Sequence, residues 1–213
     1  MILNEIGIEL ELFLLDKKNK ILEPSLYGFP ADEMGFLIEL RSEHSYNPIH
    51  VDESIKSLLK ISTKRAHKMG LETRLIDSIE ISPEFKEYIS SKYRHSMMPD
   101  HTKNLYGFKG SHHTGIHDNR ATAGLHVHFS SRNLEETSCT MNILPVEEIV
   151  KEMDNAFLSQ IKEADRILGE YEMKEHGFEY RSLPANIKVL EVCDRSIDIL
   201  NKLIPYNLSK RKQ

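Results

Sequence analysis

Apolar residues alternate with others along Ile6-Gly7-Ile8-Glu9-Leu10-Glu11-Leu12-Phe13-Leu14. This period of two predicts a strand with Ile6, Ile8, Leu10, Leu12 and Leu14 on one face and Glu9 with Glu11 on the other. Asp16-Lys17-Lys18-Asn19-Lys20 reads as a hairpin turn into Ile21-Leu22-Glu23, which Pro24 ends. Phe36 to Arg41 alternates in the same way, and Leu125, Val127 and Phe129 interleave with Gly124, His126 and His128. The period lengthens between Asp52 and Met69, where Ile55, Leu58, Leu59, Ala66 and Met69 suit a helix with Asp52 as N-cap and Gly70 just past its end. From Pro145 at the first helical position, Val146, Ile149, Val150, Met153, Phe157, Ile161, Ala164 and Leu168 form one apolar stripe towards Gly169, predicting a single long helix. Thr73 to Ile81 reads as a strand, Phe178 to Arg181 as a short one, and Ile187 to Leu203 as a closing helix. Pro83 to Ala121 has no sustained apolar period and reads as a long functional loop. Strands bunched in this order, rather than alternating with helices, predict an α+β fold with an antiparallel or mixed sheet backed by helices.

The length of 213 residues suits one domain over residues 1–213, with a mobile polar tail from about residue 205. The formal net charge of −5 argues against a nucleic-acid partner held by a broad basic surface. Cys139 and Cys193 have no metal-ligand or disulfide-framework spacing, which fits a cytoplasmic setting. Charges interrupt every apolar stretch, so no membrane partner is expected.

Chemistry enters through residue pairs at i and i+2, which share a strand face about 7 Å apart. Four such pairs occur: Glu9/Glu11, Glu39/Arg41, His126/His128 and Glu179/Arg181. Taken singly, each is an ordinary polar outer face. Together they contain no Lys, Ser or Thr, the residues that usually cover a wet sheet, and their makeup is that of a ligand set. Crowded carboxylates favour a hard divalent cation, Mg²⁺ or Mn²⁺, completed by phosphate oxygens. Guanidinium groups match phosphate or carboxylate oxygens in pairs. Acids, a metal and arginines together suit phosphoryl transfer.

Four blocks, IGIELELF (6–13), MGFLIELRS (34–42), RATAGLHVHFS (120–130) and GFEYRSLP (177–184), carry a resemblance to the phage-associated amidoligase family of carboxylate-amine ligases, related to glutamate-cysteine ligase and glutamine synthetase. The blocks cover under a fifth of the chain but span most of its length. The resemblance implies a curved, mainly antiparallel catalytic sheet of the glutamine synthetase/glutamate-cysteine ligase type. It also implies an ATP-dependent reaction in which a carboxylate is activated as an acyl phosphate and then attacked by an amine. Carried over by position, it makes Glu9, Glu11, Glu39, His126 and Glu179 metal ligands. Arg41, Arg120 and Arg181 become catalytic, and Arg120, Arg181 and the neighbouring His128 contact the nucleotide. Asp32 is a further candidate acid. The expected cofactors are ATP with Mg²⁺ or Mn²⁺, and the expected substrates are small-molecule, peptide or peptidoglycan-like carboxylates and amines in a bacterial or phage-infected cytoplasm.

The paired glutamates of the first block leave the number of metals open. His95, His101, His112, His113 and His117 form a His-rich stretch with no counterpart in the resemblance. Two alternatives use the same residues: a metallohydrolase or non-haem metal enzyme built on the His/Glu set, and a non-catalytic nucleotide-binding relative.

Overall fold

The computed structural model describes residues 2–32, 35–92, 102–108, 116–117, 119–133, 144–175 and 177–204. Its centre is an open seven-stranded sheet of β1 (Ile2–Leu15), β2 (Leu37–Arg41), β3 (Glu72–Arg74), β5 (Thr102–Asn104), β8 (Gly124–Asn133), β9 (Glu170–Lys174) and β10 (Gly177–Pro184). The strands lie in the order β2-β1-β8-β10-β9-β5, with β3 beside the end of β1, and every pairing is antiparallel. A separate three-stranded sheet joins β4 (Ser78–Glu80), β7 (Arg120–Thr122) and β6 (Ile116–His117).

The alternation read from the sequence decides which face is covered. Ile6, Ile8, Leu10, Leu125, Val127, Phe129, Phe178 and Tyr180 all point into one core. There they meet Val51 and Ile55 of α1 (Pro48–Lys68), Ile149, Val150 and Met153 of α3 (Val146–Ala156), Ile161 of α4 (Leu158–Glu163), and Val192, Ile199 and Leu200 of α5 (Val189–Leu203). A second, smaller core forms on the opposite face, at the far end of β1. Phe13 and Leu15 leave the row that begins with Glu9 and Glu11, and pack with Phe36, Leu37, Ala121 and Ala123 and with Ile89 of α2 (Pro83–Lys92). The face opposite the helices is therefore polar in the middle and apolar at one end.

Several expectations need correction. The first long helix begins at Pro48, with Asn47 as N-cap accepting from Ile49 N, because Pro suits the first turn and Asn the cap. Asp52 is buried inside that helix and pairs with Lys56. The stripe from Val146 is two helices broken at Phe157. Phe157 N–H to Met153 O and Ile161 N–H to Phe157 O keep the two halves in phase, so the apolar stripe runs through the break. Residues 73–81 are two strands in different sheets, turned at Asp77, whose carboxylate accepts from Asn186 N and Nδ2. The stretch 83–121 is no single loop, because α2, β5, β6 and part of β7 lie in it. Strand β9 went unread. Cys139 and the 205–213 tail lie outside the described residues. Among the described residues, no helix is long and apolar enough to cross a membrane.

Candidate functional site

The register between strands assembles the site. Glu9 on β1 stands between Arg41 on β2 and His126 on β8, Glu11 lies opposite Glu39, and Glu179 on β10 lies opposite His128 on one side and Glu172 on the other. Partners on adjacent strands are about 5 Å apart, so all four sequence pairs meet on one face. This is no wet face. Glu9 is 5% exposed, His126 2% and Glu179 1%.

The side chains form a connected network. His126 Nδ1 lies 3.0 Å from Glu9 Oε1 and 2.9 Å from Glu179 Oε1, and its Nε2 lies 4.0 Å from Glu11 Oε1. His128 Nε2 is 3.5 Å from Glu9 Oε2. Arg41, largely exposed, donates from Nε to Glu9 Oε2 at 2.9 Å and pairs with Glu39 through Nη2. Arg181 Nη1 reaches Glu179 Oε1 at 2.9 Å and Glu172 Oε2 at 3.2 Å. Lys174 Nζ closes the square at 2.9 Å from both Glu172 Oε2 and Glu179 Oε2. Arg181 follows Glu179 onto the site face by alternation, and the ladder between β10 and β8 then shifts between Tyr180 and Leu183, a bulge that returns Leu183 to the core beside Tyr180.

Electrostatics follow from this crowding. Burial pushes the Glu39 carboxyl up, to about 8, reinforced by Glu9 and Glu11 and opposed by Arg41. Burial and Arg181 pull the His126 imidazolium down, yet Glu11, Glu179 and Glu9 outweigh them and lift it to about 9. Burial alone would raise Glu9, but hydrogen bonds from His126 and His128 and the charges of His126 and Arg41 hold it well below the usual carboxylate range. Glu179 behaves likewise, with His126 and Arg181 outweighing burial.

Two ligand groups result among the described residues. Glu9, Glu11 and His126 form one and Glu9, His128 and Glu179 the other, each with donor atoms all within 4.8 Å of one another. Five carboxylates, Glu9, Glu11, Glu39, Glu172 and Glu179, meet the cations Arg41, Lys174 and Arg181, and the protons held on His126 and Glu39 offset the remaining negative charge. A divalent cation would take the place of those two protons, and the oxygen-rich donor set suits a hard one.

Two candidates stand apart. Arg120 is exposed on β7 of the small sheet and donates to Ser78 Oγ at 2.7 Å, with no ion pair to the cluster among the described residues. Asp32 Oδ1 accepts from Phe36 N and Leu37 N at 3.0 and 2.9 Å, which shapes the entry to β2. His95, His101, His112 and His113 lie outside the described residues, and of His117 only the backbone is described. Sequence reasoning missed Glu172 and Lys174, although Glu170-Tyr171-Glu172-Met173-Lys174 carries the same alternation as the other strands. No protein-family model, characterised protein or solved structure matches this chain.

Proposed function

We propose that the chain is an ATP- and divalent-metal-dependent carboxylate-amine ligase. One observation carries this reading: carboxylates and imidazoles from four separate strands, with Glu9, His126 and Glu179 buried, converge with Arg41 and Arg181 on one sheet face. The reading takes the open antiparallel sheet as a catalytic sheet of the glutamine synthetase/glutamate-cysteine ligase type. Glu9, Glu11, Glu39, His126 and Glu179 would hold Mg²⁺ or Mn²⁺, with His128 beside them. A bound cation would neutralise charge on the phosphoryl oxygens.

In the reaction, an oxygen of the substrate carboxylate attacks the γ-phosphorus of ATP, the bond from that phosphorus to the β,γ-bridging oxygen breaks, and ADP leaves. The amine nitrogen then attacks the acyl carbon, phosphate departs with the acyl oxygen, and the nitrogen loses a proton to give the amide. Arg41 and Arg181 present guanidinium groups suited to phosphate or carboxylate oxygens; Arg120 would join them from the small sheet. Substrates are small-molecule, peptide or peptidoglycan-like carboxylates and amines, in a cytoplasm that supplies ATP and Mg²⁺.

The two imidazoles also support a second reading, a Zn²⁺ or Fe²⁺ metallohydrolase or related metal enzyme. Carboxylates outnumber them, which favours the ligase. Thermal unfolding separates the two: the ligase predicts a rise in Tm with ATP and Mg²⁺ together, well beyond Mg²⁺ alone. A protein indifferent to nucleotide but strongly shifted by Zn²⁺ refutes it.

A further inference from the structure

Arg166 sits behind the site and takes no part in the ion-pair network described above. Its position is set by the end of α4. Asp165 adopts the left-handed conformation, with φ 53°, while Asp165 N–H bonds to Lys162 O at 3.1 Å and Arg166 N–H to Ile161 O at 3.0 Å. This is the paired hydrogen-bond pattern of a Schellman end, in which Asp replaces the usual Gly, and it turns Arg166 back towards the sheet.

There the guanidinium bridges two strands. Nη1 donates to Ala123 O at 3.1 Å, just before β8, and Nη2 donates to Arg181 O at 2.8 Å, inside the β10 bulge. Among the described residues, Nε is buried with no hydrogen-bond partner. The ladder needs this help, because the register shifts here and the next pair is Gly124 with Pro184, which has no N–H to give. Gly124 N–H instead donates to Glu11 Oε2 at 2.6 Å. A Cβ on Gly124 would lie 2.8 Å from Arg166 Nη2 and 3.1 Å from Cζ and Nη1, so the glycine makes room for the guanidinium.

We infer that Arg166 is a positioning residue for the cation site: by tying the Ala123 and Arg181 carbonyls together it fixes the Gly124 donor that aims Glu11 and the backbone that carries Arg181. This rests on the cluster being a cation site. The clamp has a distinctive electrostatic sign. Arg166→Met removes a positive charge near Glu11, which by Coulomb's law alone strengthens cation binding, whereas loss of the clamp weakens it. Arg166→Lys keeps the charge but cannot span both carbonyls as a rigid fork.

The test titrates Mn²⁺ into parent, Arg166→Lys and Arg166→Met proteins and follows hydrogen exchange at the Gly124 amide. Circular dichroism serves as the control for folding. Both variants should bind Mn²⁺ about 10–100-fold more weakly, the range for loss of an outer-sphere partner, and exchange Gly124 faster. Gly124→Ala keeps Arg166 but crowds it, and should reproduce the loss if the arginine variants fold poorly. Parent-like Mn²⁺ affinity in Arg166→Lys, or tighter binding in Arg166→Met, overturns the clamp. A parent protein that binds no Mn²⁺ overturns the cation site itself, so the two failures are distinguishable.

Discussion

Consider Mn²⁺ titrated into the metal-free protein at pH 7. His126, lifted to about 9, is an imidazolium, and Glu39, raised to about 8, is a neutral acid. Cation binding requires a neutral imidazole and ionised carboxylates. His126 belongs to one of the two ligand groups, and Glu39 lies opposite Glu11 of that same group. Binding should therefore expel about two protons at pH 7. Removing them costs about 1.4 kcal/mol per pH unit below each value, about 4 kcal/mol in all, so apparent affinity at pH 7 should be roughly a thousandfold below its alkaline limit.

The slope follows. The logarithm of the apparent association constant should rise by about two per pH unit below pH 7, by about one between pH 8 and 9, and level off above. Calorimetry at pH 7 in buffers of different ionisation enthalpy reads the proton count directly, from the slope of observed heat against buffer enthalpy. Glu39→Gln should lower that count to about one. A parent count below about half a proton would refute the reasoning, since it would mean that the cation does not displace the charge held on His126.

Three further outcomes follow from the same network. Metal-free stability should peak near pH 5. Glu9 and Glu179, held low, contribute stability that is lost as pH falls below about 4.5, while His126 and Glu39, held high, contribute stability lost as pH rises towards about 9 and about 8; thermal melts across pH check this, and a flat profile contradicts it. Glu179→Gln removes the charge shared by His126, Lys174 and Arg181, so Mn²⁺ binding should fall more than a hundredfold and stability by about 1–3 kcal/mol, read by titration and by denaturant unfolding. Gly177→Ala should cost more than the roughly 1–3 kcal/mol of an unfavourable backbone conformation, because φ is 152° and the new Cβ would lie 2.0 Å from Phe129 O; an unchanged Tm would show that this strand pair shifts freely.

The convergence of Glu9, Glu39, His126 and Glu179 was legible because a period of two fixes the face, and each strand carried apolar residues on its other side. Which strands adjoin was not legible: Glu9 beside His126 is a pairing across 117 positions that no local pattern encodes. Phe13 falls in the row of Glu9 and Glu11 and has no partner legible in the sequence, since the second core that covers it comes largely from α2 and the small sheet. Strand β9 was passed over because Glu170, Glu172 and Lys174 are weak strand formers, and their pairing with β10 and β5 holds them extended. Phe157 breaks the helix but keeps the hydrogen bonds that carry the stripe onward, so periodicity alone could not reveal the break.

Burying carboxylates is costly, and the fold meets that cost from within. His126 supplies a positive charge to Glu9 and Glu179, Glu39 keeps its proton, and apolar cores lie beneath and beside the cluster. A metal-free chain should then be folded with its ligands in place, and the site should cost stability only where groups are forced to ionise. Glu39 tests this directly. In the parent its ionisation above pH 8 works against burial and against Glu9 and Glu11. Glu39→Gln keeps the size and the polar contact with Arg41 but never ionises. It should stabilise the metal-free protein at pH 9 by on the order of 2 kcal/mol, leave stability at pH 5 nearly unchanged, and weaken Mn²⁺ binding at both. Denaturant unfolding at the two pH values measures the difference. A variant less stable than the parent at pH 9 would mean that the Glu39 charge is compensated in the folded chain, and that the cluster is a structural ion-pair network and not a cation site.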